Sequence, residues 1–306
     1  MEITVAVPVK DRREQMLRCL RSLLEQDHPS YEVLVLDNQS SDGTAEACRE
    51  FAADSGVPVR IDVVPGTVGA VRNQAGCVAR GEFLAFTDSD CVAAPGWLSA
   101  VARALRDDPG LGVVCGATRP QDPIVRGWPA TIEVERWTGR FESCNVAFRT
   151  NAFLESDGFD EHVGHFWEDT AAGYALLRHG WRAGFVGDAV IYHDVTYPGF
   201  AWHLKRAMKA RNLGPVLARY PEIAHDLLWR GVFLHRRDAK LVLAAVALTY
   251  AVRSRRPLAT AGVAPYAAER LRHWRDPKGL VQTVLYDSAV VAGCFRAGLT
   301  ARRLVL

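Results

Sequence analysis

Apolar residues fall along the first half of the chain in short, nearly unbroken runs separated by amphipathic stretches. Residues 3–9 (ITVAVPV) form a Val-rich run of the kind a buried strand needs. Met16, Leu17, Leu20, Leu23 and Leu24 then recur at helical spacing, with Asp11 placed to cap the helix and Pro29 to end the region. Residues 31–36 (YEVLVL) are apolar without alternation, as strands covered on both faces of a parallel sheet are. A polar turn, DNQSSDGT, leads to a helix through Phe51, and a third strand covers residues 57–64. A short helix over 70–79 precedes a fourth strand at 82–86. This alternation predicts an α/β sheet with right-handed crossovers.

A helix opened by Pro95 runs to about Arg106, and residues 111–117 make a fifth strand. From 118 to 140 the periodicity disappears among prolines and glycines, and such a long irregular segment in a compact domain is more often functional than decorative. Residues 142–148 are extended again, followed by a short helix to Ser156. The segment starting FWED opens a helix through His179, ended by Gly180, and residues 182–192 form one or two strands closing at His193. Beyond Tyr197 the chain is rich in Ala, Leu and Arg with helical periodicity and no strand signal. Pro215, Pro221, Pro257, Pro265 and Pro277 divide it into several helices, so a boundary is expected near residue 198.

Composition narrows the class. A chain of 306 residues holds one large domain, or one domain with an extension. A formal net charge of +2 does not argue for nucleic acid. Seven cysteines without a C-x-x-C pair argue against zinc sites and a disulfide framework, and favour a reducing, cytoplasmic setting. The start, MEITVAVPVK, reads directly as a strand, so no secretory signal is expected. The longest apolar run, residues 241–252, falls short of the ~20 residues that span a bilayer.

The most informative stretch is GEFLAFTDSD, residues 81–90. An apolar strand ends in Asp88 and Asp90, and residues i and i+2 of an extended segment point the same way. Two carboxylates so placed suit a hard divalent cation bridging to substrate phosphates, at the carboxyl edge where α/β sheets bind ligands. Neither G-x-G-x-x-G after the first strand nor a P-loop is present, which disfavours dinucleotide oxidoreductases and P-loop NTPases.

VAVPVKDR, VLVLDNQSSDGT, VGAVRNQAGCVARGEFLAFTDSD, ESCNVAF, GFDE and WEDTAAGYALLRHG together resemble glycosyltransferase family 2, over roughly residues 3 to 195. The resemblance implies the GT-A fold, with a catalytic domain over 1–197 and a helical C-terminal extension over 198–306. A donor-binding part would cover about 1–117 and an acceptor-binding part about 118–197. It implies transfer of a sugar from a nucleotide-sugar (UDP-, GDP- or dTDP-linked) to an acceptor hydroxyl with inversion. It places the nucleotide near Pro8, Val9 and Asp11, with Asp37 at the base, Arg72 reaching the nucleotide, and Asp88 and Ser89 near the ribose. Asp90, with Asp88 and His193, would hold a divalent metal, Mn²⁺ favoured over Mg²⁺ because an imidazole joins the carboxylates. Asp169 would be the general base, with Glu168 beside it.

This sequence also departs from its relatives. Lys10 stands where an aromatic often stacks on the base, which leaves the nucleotide open. Ala171, Ala172 and Ala175 occupy positions that are often polar, which suggests a less polar acceptor cleft. The Q-x-x-R-W motif of polymerising members is absent, so a single, non-processive transfer is expected. The acceptor is open: a natural product, a lipid, a peptide or a glycan. Basic and aromatic residues in the tail, from Trp202 to Arg211 and at Arg236, Arg237, Lys240, Arg253, Arg255 and Arg256, suggest peripheral contact with the inner membrane face. The alternatives are a non-catalytic binding module of the same descent and a nucleotidyltransferase.

Overall fold

Every run that the pattern marks as a strand enters one eight-stranded sheet. In the computed structural model, described at every residue except Arg126, Gly164, His165, Trp274 and Arg275, these strands are β1 (Ile3–Val9), β2 (Tyr31–Asp37), β3 (Val59–Val63), β4 (Phe83–Thr87), β5 (Cys91–Ala93), β6 (Leu111–Pro120), β7 (Asn145–Arg149) and β8 (Arg182–His193). Their order across the sheet is β3-β2-β1-β4-β7-β6-β8-β5. β3, β2, β1 and β4 are parallel, as are β6 and β8, while β7 and β5 run antiparallel to their neighbours. β5 is absent from the pattern because three residues carry no readable period. β6 continues three residues past the expected end, and the irregular segment after it is tied down by isolated bridges, Thr118 to Val134 and Ala130 to Thr196.

Six helices cover this sheet: α1 (Arg13–Leu24), α2 (Thr44–Ala52), α3 (Val68–Val78), α4 (Trp97–Asp107), α5 (Thr150–Glu155) and α6 (Glu168–Arg178). Val5, Val7, Val33 and Val35 pack against Met16, Leu20 and Leu23 on one side, all fully buried. Each such side chain contributes about 1.5–3 kcal/mol. Elsewhere Phe86, Phe148, Phe153 and Phe159 pack together, ring centroids 5.1–6.5 Å apart. Asp11 does not cap α1. It sits in the left-handed region (φ 49°), accepts the Ser41 N–H at 2.7 Å, and leaves the first N–H of α1 (Arg13) to Asp42 at 3.1 Å. The β1 and β2 loops are thereby laced together.

A buried amide sets the far edge. Trp97 Nε1 donates to Asn145 Oδ1 (2.9 Å), and Asn145 Nδ2 donates to the carbonyls of Ala117 (2.7 Å) and Ala189 (2.9 Å). One side chain thus joins α4, β7, β6 and β8 where the β6–β8 register shifts between Gly116 and Ala117. Gly116 is required there, because a Cβ would stand 2.2 Å from the Ala189 carbonyl oxygen.

The chain divides into two compact units, Met1–Tyr197 and Pro198–Leu306. The second contains α7 (Phe200–Ala207), α8 (Leu213–Arg219), α9 (Ile223–Leu227), α10 (Arg236–Ser254), α11 (Ala264–His273) and α12 (Pro277–Ala301), with 3₁₀ turns at Met208–Asn212 and Pro257–Val263. A buried charge cluster ties α10, α11 and α12 together. Tyr266 donates to Asp287 Oδ2 (2.7 Å), and Arg270 and Arg237 flank the same carboxylate at 3.1 and 3.5 Å. Among the described residues, no helix is long and apolar enough to cross a membrane.

Asn145→Ala strips three buried groups of their partner, each worth about 1–3 kcal/mol. Urea denaturation should show a clear loss of stability at unchanged m-value; a midpoint equal to wild type would remove the amide from this structural role.

Candidate active site

The carboxyl ends of β1, β2 and β4 open on a cavity of about 470 Å³. Pro8 and Val9 line it from β1, Asp11 from the loop after it, and Asp88, Ser89 and Asp90 from the turn after β4, with Arg72 of α3 between them. Asp37 stands outside this wall. It is 2% exposed, its carboxylate faces the Ser40 N–H (3.1 and 3.3 Å), and the next residue, Asn38, lines the cavity. Asn38, Arg12, Val68 and Val71 are lining residues that the sequence reading missed. Each adjoins a marked residue or motif, but nothing in its own type signals a site.

β5 brings the next pair together. Cys91 bonds back to the Asp88 carbonyl (3.1 Å) and sits opposite His193 in the antiparallel β5–β8 register, so the last residue of β8 meets Asp90 across 103 positions of chain. The Asp194 N–H also donates to the Asp90 carbonyl at 3.0 Å, and Arg18 pairs with the Asp194 carboxylate. His193 Nδ1 lies 2.8 Å from the Asp194 carbonyl. A carbonyl oxygen only accepts, so Nδ1 carries a proton, and in the tautomer this selects the Nε2 lone pair turns outward. That Nε2 lies 3.9 Å from Asp90 Oδ1. Two acceptors facing one another are favourable only around a shared cation or proton, and Asp90 already draws the Arg12 guanidinium.

Asp90, Cys91 and His193 place their ligand atoms within 4.8 Å of one another. Burial, then the neighbouring Cys144, Asp88 and Asp90, raises the Cys91 thiol well above its ordinary value, so it stays protonated and is the poorest ligand of the three. The residues fit a divalent cation with oxygen and imidazole ligands. Asp88 does not join this group: Arg72 Nη2 holds its Oδ1 at 3.1 Å.

Arg72 is no surface arginine. It is 4% exposed, lies over the Phe159 ring (5.3 Å to the centroid) and reaches Glu168 Oε1 at 3.3 Å with its other terminal nitrogen. One guanidinium therefore bridges the turn after β4 and the start of α6. Glu168 is 5% exposed, and Asp169 beside it accepts from the Thr170 N–H (2.8 Å) and the Ser143 N–H (3.3 Å). Part of Asp169 still reaches solvent, yet protein packs its carboxyl on most sides. Burial first, and the charge of Glu168 second, pushes the Asp169 carboxyl up to about 8, with Arg72 opposing. The pair thus holds a proton far more tightly than a free carboxylate.

Two bulky residues before this pair, Phe166 and Trp167, both have positive φ (82° and 76°), a costly backbone for such side chains and one that clusters at functional sites. Ala171 and Ala172 are buried in packing, so they line no cleft, and the expectation of a less polar one loses two of its three residues.

The profile of Glycosyl transferase family 2 matches residues 4–163. Glycosyltransferase AglE of Haloferax volcanii is 30% identical over 172 residues, 54% of this chain and 55% of that protein. Pre-mycofactocin glycosyltransferase of Mycobacterium tuberculosis is 24% identical over 250 residues, 75% and 50% of the two chains. The chain spans about half the length of these curated relatives. Among solved structures, mannosyltransferase PcManGT from Pyrobaculum calidifontis, in complex with GDP-Man and Mn²⁺, superposes with a TM-score of 0.68 at 23% identity, covering 98% of this chain and 87% of that one. S. aureus TarS 1-349 gives 0.51 at 17% identity, covering 98% and 91%. These likenesses establish the GT-A fold.

The folded state binds the Asp169 proton more tightly than the unfolded chain, where the carboxyl titrates near 3.8. Its contribution to stability is therefore complete below that value and is lost as pH rises towards about 8. Asn cannot titrate, so the melting temperature of Asp169→Asn relative to wild type should climb across that window. A difference that stays flat with pH would contradict the raised value.

Proposed function

Because the chain belongs to glycosyl transferase family 2, we propose that it transfers a sugar from a nucleotide-sugar donor to an acceptor hydroxyl by one inverting displacement. The observation that carries this reading is the meeting of Asp90 with His193 at the cavity, with the Glu168–Asp169 pair tied to the same cavity through Arg72. Residues of about 1–117 bind the donor, those of about 118–197 the acceptor side.

Pro8, Val9 and Asp11 hold the nucleotide end, with Asn38 closer to the base than Asp37 and with Asp88 and Ser89 near the ribose and diphosphate. Arg72 keeps Asp88 in place and adds positive charge on the side where the diphosphate lies. Asp90 and His193 would hold a divalent cation, which when bound neutralises charge on the departing diphosphate. The imidazole inclines the site towards Mn²⁺. PcManGT, solved with GDP-Man and Mn²⁺, and TarS 1-349, solved with UDP-GlcNAc, support a nucleotide-sugar and a metal without choosing the base.

Asp169 takes the proton of the acceptor hydroxyl, which is a poor nucleophile until that proton is leaving. A carboxyl raised to about 8 is a stronger base than an ordinary carboxylate, and Glu168 and burial supply that strength. Its charged form is scarce below that pH, so the rate rises with pH until the pair has lost its proton. The absence of Q-x-x-R-W supports a single, non-processive transfer.

Asp90→Ala should abolish metal-dependent binding of a nucleotide-sugar in calorimetry while leaving the fold intact; unchanged affinity for donor and Mn²⁺ would remove Asp90 from the metal site. Asp169→Asn should keep donor binding and lower the catalytic rate by about 10²–10⁴-fold. The wild-type acid limb, set by a carboxyl near 8, should vanish with it. A variant that turns over normally, or that loses donor binding equally, would put the base elsewhere.

A further inference from the structure

The second unit carries an apolar projection that the sugar-transfer reading does not use. Residues 241–252 of α10 (LVLAAVALTYAV) contain no charge, and Leu243, Val246, Leu248, Tyr250 and Val252 are 47–77% exposed. Leu258, in the 3₁₀ turn that packs back on α10, is 90% exposed. At about 100° per residue, Leu243, Val246 and Tyr250 fall on one side of the helix and Leu248 and Val252 on the opposite side, with the buried Ala244 and Ala251 between them. A protein partner lying along the helix covers one of these sides, whereas an apolar medium covers both.

The charge along this stretch is one-signed. Residues 239–268 hold four basic side chains and no acidic one. Lys240 is committed to Glu269 (2.5 Å), so the exposed positive charge lies at Arg253, Arg255 and Arg256, directly past the apolar run. Arg237, just before this stretch, is likewise engaged, with Asp287 at 3.5 Å. Of the basic residues on and just past α10, Arg253, Arg255 and Arg256 thus stand beside exposed Leu, Val and Tyr. Twelve helical residues measure about 18 Å, too short for a hydrocarbon core of about 30 Å, but enough to bury in one leaflet. Tyr250 is of the type that sits at the headgroup level, and arginines there meet anionic lipids.

We propose that the exposed end of α10, together with Leu258, seats the chain on an anionic bilayer surface without crossing it. The buried cluster of Asp287, Arg237, Arg270 and Tyr266 holds α10 against α11 and α12 and so presents this end as a fixed projection.

The test is co-sedimentation of the full chain with phosphatidylcholine vesicles and with vesicles that also contain phosphatidylglycerol. Binding should favour the anionic vesicles and weaken with salt. Val252→Asp combined with Leu258→Asp should lower the partition coefficient by roughly tenfold or more on both. Arg253→Glu with Arg256→Glu should lower anionic binding by about fivefold or more per residue and erase the lipid preference. Both variants should keep the wild-type melting temperature, since the altered side chains are exposed. A chain that stays in solution with either vesicle, or variants that bind like wild type, would overturn the proposal. So would a dimer that Val252→Asp dissociates while vesicles bind nothing, because a second copy would then cover the patch.

Discussion

The site depends on three residues of backbone pairing. Cys91–Ala93 adds to the end of β8 in antiparallel register and, with the Asp194 N–H on the Asp90 carbonyl, brings Asp90 to His193. β4 alone delivers the carboxylates to the sheet edge but leaves them a cap for the next turn, while β8 alone ends in a histidine with one ring nitrogen satisfied. The pairing exists because β8 is held at the right height: Asn145 fixes the Ala189 carbonyl, and the register shift beside Gly116 lets the rest of β8 run on to His193.

Electrostatics joins the remaining parts. Three carboxylates, Asp88, Glu168 and Asp169, lie near one buried guanidinium, Arg72, which neutralises one charge at most. The imbalance favours a proton at Asp169, where burial already disfavours the charged form and the charge of Glu168 adds to it. A carboxyl that holds its proton tightly follows from too few cations among closely packed carboxylates, without any unusual residue type.

Much of this fold is legible in the sequence because parallel strands buried on both faces write themselves as long Val- and Leu-rich runs, and amphipathic helices as recurring leucines. The positions of Asp88, Asp90, Asp169 and His193 at the ends of elements were legible for the same reason, while the roles expected of them came from the resemblance. What was not legible is long-range. β5 is too short to carry a period, and Asp11 looks like a cap until Asp42, 31 positions on, is seen to do that work. Arg72 reads as a nucleotide residue alone because neither Asp88 nor Glu168 is near it in sequence. Asp37 and Asn38 differ by one step along the loop, and only the turn closed on Ser40 decides which faces the cavity. In the second unit the arginines are plain in the sequence, but which of them are spent on internal carboxylates is not.

On the reading proposed above, Asp90 and His193 share one cation. Pulsed electron paramagnetic resonance of Mn²⁺ bound with a nucleoside diphosphate reads this directly, because a directly coordinated imidazole nitrogen modulates the echo. A cation held by both residues gives that modulation in the wild-type protein and loses it in His193→Ala. Tightly bound Mn²⁺ that shows no nitrogen coupling, or coupling that survives the His193 substitution, would contradict it.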